Sequence, residues 1–196
     1  MPAIAIPNGA WMAGPGTLYR TILGTAIPAH AVVGGVFTDA WPAAWVPVGI
    51  TVDGSQFSFQ TNTDQIVAAE YLDPLAVKST GRTIGVEFNM MQMTLKSFAL
   101  ALNGGTTSTI SGAAGTLLTS YTPAGVGSEV RTMLGWESED ATERAIFNQN
   151  FQGGQVQIAN RKAPTARSIP VQFTTEQPAV GFPFTIYKAG LVGVGV

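Results

Sequence analysis

Few residues in this sequence can do chemistry. His30 is the only histidine, so a relay from an imidazole base to a hydroxyl nucleophile would have to pass through it. It sits in Pro28-Ala29-His30-Ala31, and no G-x-S-x-G elbow occurs, which points to a surface or interface residue rather than a general base. The densest acidic group is Glu137, Glu139, Asp140 and Glu143. Oxygen ligands at that spacing can in principle hold Ca²⁺, but the ordered spacing and the glycine of an EF-hand loop are missing, so the group reads as a solvated connector. Gly104-Gly105 and the glycines of 112–115 lack a following Lys-Ser/Thr and read as loop punctuation, not a phosphate cradle. Arg161, Lys162 and Arg167 form the one loose positive group, better suited to a tight turn or a subunit salt bridge than to a DNA groove. With no cysteine, a disulfide framework, a thiolate zinc site and a thiol nucleophile are excluded, and an intracellular folding compartment is expected. No catalytic residue, cofactor or metal is therefore expected.

The elements that would have to position any site are mainly strands. The chain's 23 glycines and 12 prolines interrupt it too often for long helices, while Thr, Val, Ile and aromatics fill the intervals. Residues 1–16 read as an extended arm and 17–23 as a strand. Residues 46–52 and 55–61 flank Asp53-Gly54, a pair suited to a type I′ hairpin turn. Residues 65–71 and 76–90 form a long hairpin with its tip near Asp73, and Ile84, Val86, Phe88 and Met90 fall on one face of the returning strand. Leu95, Phe98, Ala99 and Leu102 share one face of a short helix that Asn103-Gly104-Gly105 stops. Residues 106–128 read as irregular or weakly β-structured. Strands are expected again at 129–136, 144–150, 155–160, 169–175 and 182–189. One domain over 1–196 is expected, with an N-terminal arm (1–16) and a C-terminal tail (191–196).

Charge bounds the function. Ten Lys or Arg and twelve Asp or Glu make only 11% of the chain charged, where about 25% is usual. Spread over the roughly 8,800 Å² of a compact monomer of this size, that is about one charge per 400 Å², near the size of an apolar patch that needs an explanation. The simplest explanation is coverage by other subunits. A net charge of -2 without charge blocks argues against a nucleic-acid-binding face. The charge-free runs 1–19 and 97–128 are broken by Gly and by Pro or Ser/Thr, so neither reaches about 18 consecutive apolar residues and no membrane partner is expected. The first residues lack the basic and apolar regions of a secretory signal.

A succession of short motifs then carries a resemblance. Gly16-Thr17-Leu18, Trp45-Val46-Pro47-Val48-Gly49, Asp53-Gly54, Ala69-Glu70-Tyr71-Leu72-Asp73-Pro74 and Thr80-Gly81-Arg82-Thr83 are followed by Ala101-Leu102-Asn103-Gly104-Gly105. Arg161-Lys162-Ala163-Pro164, Ile169-Pro170-Val171-Gln172-Phe173 and Pro183-Phe184-Thr185-Ile186 continue the series. In order and spacing the chain resembles the major tail tube proteins of long, non-contractile-tailed bacteriophages. The resemblance implies a β-sandwich or open barrel with one flanking short helix and a long β-hairpin, contributing strands to a hexameric ring barrel. It further implies rings stacked into a tube that passes double-stranded DNA without specific binding. Its implied partners are further copies of itself and the tape-measure, tail-terminator and tail-tip proteins. Its location would be the virion tail, after assembly in the host cytoplasm.

On that reading, contacts between subunits and rings are expected from three apolar segments. They are the hairpin (Ile66, Val67, Tyr71, Leu72, Asp73, Pro74, Leu75, Val77), the arm (Ile4, Ile6, Trp11) and the tail (Leu191, Val192, Val194). Asp64, Glu70 and Glu87 are the candidates for the lumen or the subunit seams. A rival reading is a virion decoration or carbohydrate-binding sandwich, in which Trp11, Trp41, Trp45 and Trp136 would form a sugar platform.

Overall fold

The structure is a computed structural model that describes residues 15–67, 73–111, 117–158 and 167–190. The fold is mainly β and antiparallel, with one short helix and one long hairpin, consistent with a β-sandwich. Its residues group into two compact units, Met1–Ile50 with Val130–Asn150 and Gln177–Val196, and Thr51–Glu129 with Phe151–Glu176.

The first unit is a twisted sheet closed over aromatic side chains. Strand β1 (Gly16–Ile22) lies between β4 (Val46–Pro47) and β9 (Thr132–Ser138), and β9 pairs in turn with β10 (Glu143–Gln152), which carries β12 (Phe184–Lys188). Residues 24–38, rich in Gly and Pro, include a tiny ribbon of β2 (Val32–Val33) and β3 (Val36–Phe37) around Gly34-Gly35, both at positive φ. Trp45, Met133 and Ile146 form the core cluster, flanked by Tyr19, Trp41 and Tyr187. Gly135 is required there: a Cβ at this position would overlap the six-membered ring of Trp41, which lies across the strand. Tyr19 stacks on Trp41 at 4.3 Å between centroids, and Trp45 meets Trp41 edge-on at 5.0 Å.

The second unit is organised by strand β5 (Thr51–Ile66), strand β6 (Ala76–Met90) and strand β11 (Ile169–Thr175), in the order β5-β6-β11. The Asp53-Gly54 hairpin is a misreading. Val46–Pro47 pairs with β1, and Asp53-Gly54 sits inside β5, where the register passes from Thr51↔Met90 to Ser55↔Phe88 and leaves two extra residues on β5. Gly54 has φ +77, so the conformation that suits a tight turn here serves a bulge. The expected long hairpin is present, with its first arm extended back to Thr51.

Helix α1 (Leu95–Ala101) begins where Thr94 Oγ1 accepts the Ser97 N–H at 3.1 Å and ends before Asn103 and Gly104, at φ 53 and 103. Its buried residues are Ser97, Leu100 and Ala101, not the expected face of Leu95, Phe98, Ala99 and Leu102. The 3.6-residue period fits both sets, and Asn103 decides between them. Its side chain donates to Gln152 O at 2.7 Å and accepts from Gln152 N at 2.8 Å, clamping the helix end in one rotation. In the uncharged stretch that follows, β7 (Thr106–Ser111) pairs antiparallel with β8 (Leu117–Thr122), and the Ser108 and Ser120 hydroxyls meet at 2.6 Å. Of the expected strand at 155–160, residues 155–158 are irregular and the rest lies outside the described residues.

Replacing Gly135 with Ala should cost about 1–3 kcal/mol through overpacking, and pairing it with Trp41→Phe should cost less than the sum of the single changes; urea unfolding of the three variants checks this.

Candidate assembly and lumen surface

Opposed residues of antiparallel strands share a face, so the register assigns every side chain of the second unit's sheet. One face carries Phe57, Phe59, Ile84, Val86, Phe88 and Met90, joined by Ile169, Val171 and Phe173 of β11. All of these from β6 and β11 are buried, which confirms the expected apolar face of the returning strand. Each large side chain buried there stabilises the fold by about 1.5–3 kcal/mol.

The opposite face carries Gln56, Ser58, Gln60, Asn62 and Asp64 of β5, facing Glu87, Gly85, Thr83, Gly81 and Lys78 of β6. β11 adds Gln172 and Thr174. This face is built almost wholly of amides, hydroxyls and glycine. Two of the three lumen or seam candidates, Asp64 and Glu87, lie on it together; the third, Glu70, lies outside the described residues. Asp64 stands directly across from Lys78, and Arg82, opposite Thr61, belongs to the other face. A recess of about 390 Å³ around the Asp53-Gly54 bulge is lined by Gln56, Glu87, Asn89, Gln155 and Gln172, with Gln172 Nε2 donating to Glu87 Oε1 at 2.6 Å. The recess offers amide, hydroxyl and carboxylate groups for hydrogen bonding. Among the described residues no three His, Asp or Glu side chains converge as metal ligands.

From Val52 onward β5 is exposed along its whole length, as β6 is from Ala76 to Thr80. β5 is also the edge of its sheet. The far end of this hairpin brings together Ile66, Val67, Asp73, Pro74, Leu75 and Val77, all exposed, with Leu75 N–H donating to Ile66 O at 2.8 Å. Tyr71 and Leu72, the arm residues Ile4, Ile6 and Trp11, and the tail residues Leu191, Val192 and Val194 lie outside the described residues. Sequence reasoning missed the exposure of Val52, Phe57 and Phe59 on β5, because alternation alone does not say whether an apolar face is covered. It also missed Val180 and Phe182 in the loop before β12, exposed at 90% and 75%.

The chemically active residues of the sequence gather in the first unit, in a structural cluster. Arg144 is buried, its Nη1 donating to Asp39 Oδ1 at 2.9 Å, its Nη2 to Asp39 O at 2.7 Å, and its Nε lying 3.3 Å from Glu137 Oε2. Its guanidinium lies 4.6 Å from the centroid of Phe37, and Trp41 Nε1 donates to Glu137. Burial pulls the Asp39 carboxyl upward, but the His30 N–H, the Arg144 hydrogen bond and the Arg144 charge together hold it below its ordinary value. The acidic cluster is thus no solvated connector. Glu137 closes this network, Glu143 is buried and paired with Lys188 at 3.2 Å, and only Glu139 and Asp140 are exposed in the β9–β10 turn. Charge spacing in the sequence cannot show that a guanidinium lies beside Glu137 and an ammonium beside Glu143.

The sugar platform also fails. Trp45 is buried with its N–H donated to Ala26 O at 2.8 Å, and Trp41 is stacked on Tyr19 with its N–H donated to Glu137. Trp11 lies outside the described residues. Of the basic group, Arg161 and Lys162 do as well. No helix among the described residues is long and apolar enough to cross a membrane.

The described residues thus form a charge-poor antiparallel sheet with one polar face, an exposed edge strand and a long hairpin. Residues 6–177 match the phage tail tube proteins, and the chain belongs to that family. It is a structural protein of the virion tail. Among curated proteins, none matches the chain.

Arg144→Leu should destabilise the protein by about 3–5 kcal/mol, since it leaves Asp39 and Glu137 uncompensated in a site that excludes most water. Because the Asp39 value is depressed in the folded state, its contribution is complete above its ordinary value of 3.8 and is lost as pH falls through the folded value. Denaturant midpoints of Asp39→Asn should therefore converge with those of the parent below pH 4.

Proposed function

We propose that the chain closes into six-membered rings through its β5 edge and long hairpin, and that the rings stack into the tube of a long, non-contractile tail through which double-stranded DNA leaves the capsid. The observation that carries this reading is the two-faced sheet of β5, β6 and β11, with an apolar face, a polar face free of arginine, and an edge strand open along its length.

Two physical arguments support it. A long edge strand presents unpaired backbone groups that template pairing with another chain, and closure into a barrel is the arrangement that removes such edges. Head-to-tail contacts of one kind close a ring, and of a second kind extend it into a filament, so one sequence specifies both levels. The exposed apolar side chains at the end of the hairpin, Ile66, Val67, Leu75 and Val77, are suited to the second kind.

The polar face is suited to the lumen. Each Lys or Arg that neutralises a phosphate releases counterions and strengthens binding, which would hold DNA where it must slide. Here two carboxylates, Asp64 and Glu87, accompany a single ammonium, Lys78, which Asp64 faces. The remaining groups are neutral amides and hydroxyls that exchange hydrogen bonds with water as readily as with a passing phosphate. Further copies of the chain, a tape-measure protein, a terminator and a tip protein are the partners this role requires, with assembly in the host cytoplasm.

Negative-stain microscopy of the purified protein should show rings or tubes with a central hole; isolated globules at high concentration would refute the reading. Replacing residues 67–75 by a two-residue Asn-Gly turn should stop tube growth and leave a folded monomer or ring, and tubes of normal length would contradict the role given to the hairpin. Gln60→Arg with Asn62→Arg should leave tube length unchanged but slow DNA release in a salt-dependent manner, measured by dye fluorescence of DNA released from receptor-triggered particles.

A further inference from the structure

His30 is half-buried, yet both of its ring nitrogens are fully buried and have no hydrogen-bond partner among the described residues. Its ring stacks on Tyr187 of β12 with 3.7 Å between centroids and meets Phe37 of β3 edge-on at 5.9 Å. The backbone there is unusual for a non-glycine residue, at φ 58, and is held by the His30 N–H donating to Asp39 Oδ2 at 3.0 Å. On either side the loop is fastened by neutral contacts. Trp45 Nε1 donates to Ala26 O at 2.8 Å, and Thr38 N donates to Ala31 O at 2.9 Å. Beyond these lies the ribbon of β2 and β3, whose Val32, Val33 and Val36 are exposed.

We propose that His30 is a proton-operated latch, whose neutral ring clamps the loop between β1 and β3 onto Tyr187 and whose protonation releases that loop and its valine ribbon. An imidazolium needs acceptors for two N–H groups, and the site provides none among the described residues. The charged groups around the ring act in opposite senses: Asp39, from the loop after β3, favours the imidazolium, and Arg144 of β10 opposes it. Glu137 of β9 lies behind Arg144 and is engaged by it, and Tyr187 contributes a neutral phenol ring. Burial is the largest influence and Arg144 the next, so the ring's value lies below the ordinary 6.5. The sign follows: the unfastened loop binds the proton more tightly than the fastened one. Fastening is therefore complete above 6.5 and weakens about tenfold per pH unit below it, until the latched value is reached.

The inference is independent of ring closure and is tested on the full chain. As the only histidine, His30 gives one imidazole Cε1–H resonance, which should titrate with a midpoint below 6.5. Amide hydrogen exchange of residues 26–38 should quicken with the same midpoint, while β9 and β10 stay protected. His30→Phe, which keeps a stacking ring but cannot take up a proton, should leave the exchange of 26–38 flat between pH 7.5 and 5 after correction for intrinsic chemistry. A midpoint at or above 6.5, or loop exchange in the parent that ignores it, overturns the proposal. The titration of the parent alone decides the matter if the variant does not fold.

Discussion

The constraint on which the rest depends is that, among the described residues, β5 is exposed over most of its length and has β6 on one side only. A two-stranded ribbon of this kind is marginally stable in water unless one end is anchored. Here the anchor is the buried row from Ile84 to Met90, sandwiched in register between β5 and β11. The strand is thus held at one end by apolar packing and offered at the other to whatever next pairs with it. Because side chains alternate with a period of two, the same register that buries Val86 and Phe88 also places Gln56, Ser58, Gln60 and Glu87 together on the far face. Core and working surface are consequences of one alignment.

The first unit spends its polar residues differently. Arg144 pairs with Asp39 and Glu137 beneath Phe37 and Trp41, so two of the four carboxylates that looked like a surface cluster are occupied internally, Glu137 by Arg144 and Glu143 by Lys188. The low charge count is thereby lowered further where it matters. A chain already poor in ions hides several of them, and its outer surface is correspondingly neutral.

Much of this was legible in the chain. Alternation at Ile84, Val86, Phe88 and Met90 identified a strand and its buried face, Asn103-Gly104 ended the helix, and the order of short motifs along the chain pointed to the tail tube family. What escaped did so for physical reasons. Asp53-Gly54 has the same left-handed preference in a turn as in a bulge, and only the partner strand distinguishes them. The helix face turned on Asn103 reaching a backbone 49 residues away. Glu137, Glu143 and Trp41 found partners through contacts that no local spacing encodes. The Thr- and Ser-rich stretch after the helix, read as irregular or weakly β-structured, contains two paired strands with the Ser108 and Ser120 hydroxyls in contact across them, a weak signal beside the charge and apolar patterns around it.

The register of the long hairpin contains a second irregularity, where Asn62↔Gly81 gives way to Thr63↔Ser79 and Thr80 is left over. Beyond it Asp64 and Lys78 still share the side occupied by Gln60 and Thr83, because the surplus residue is absorbed on one strand alone. A ribbon that can swallow an odd residue in this way is free to lengthen or shorten over evolutionary time without turning itself inside out. The length of the ribbon and the character of its polar face can therefore drift separately, and lineages could retune one while inheriting the other intact.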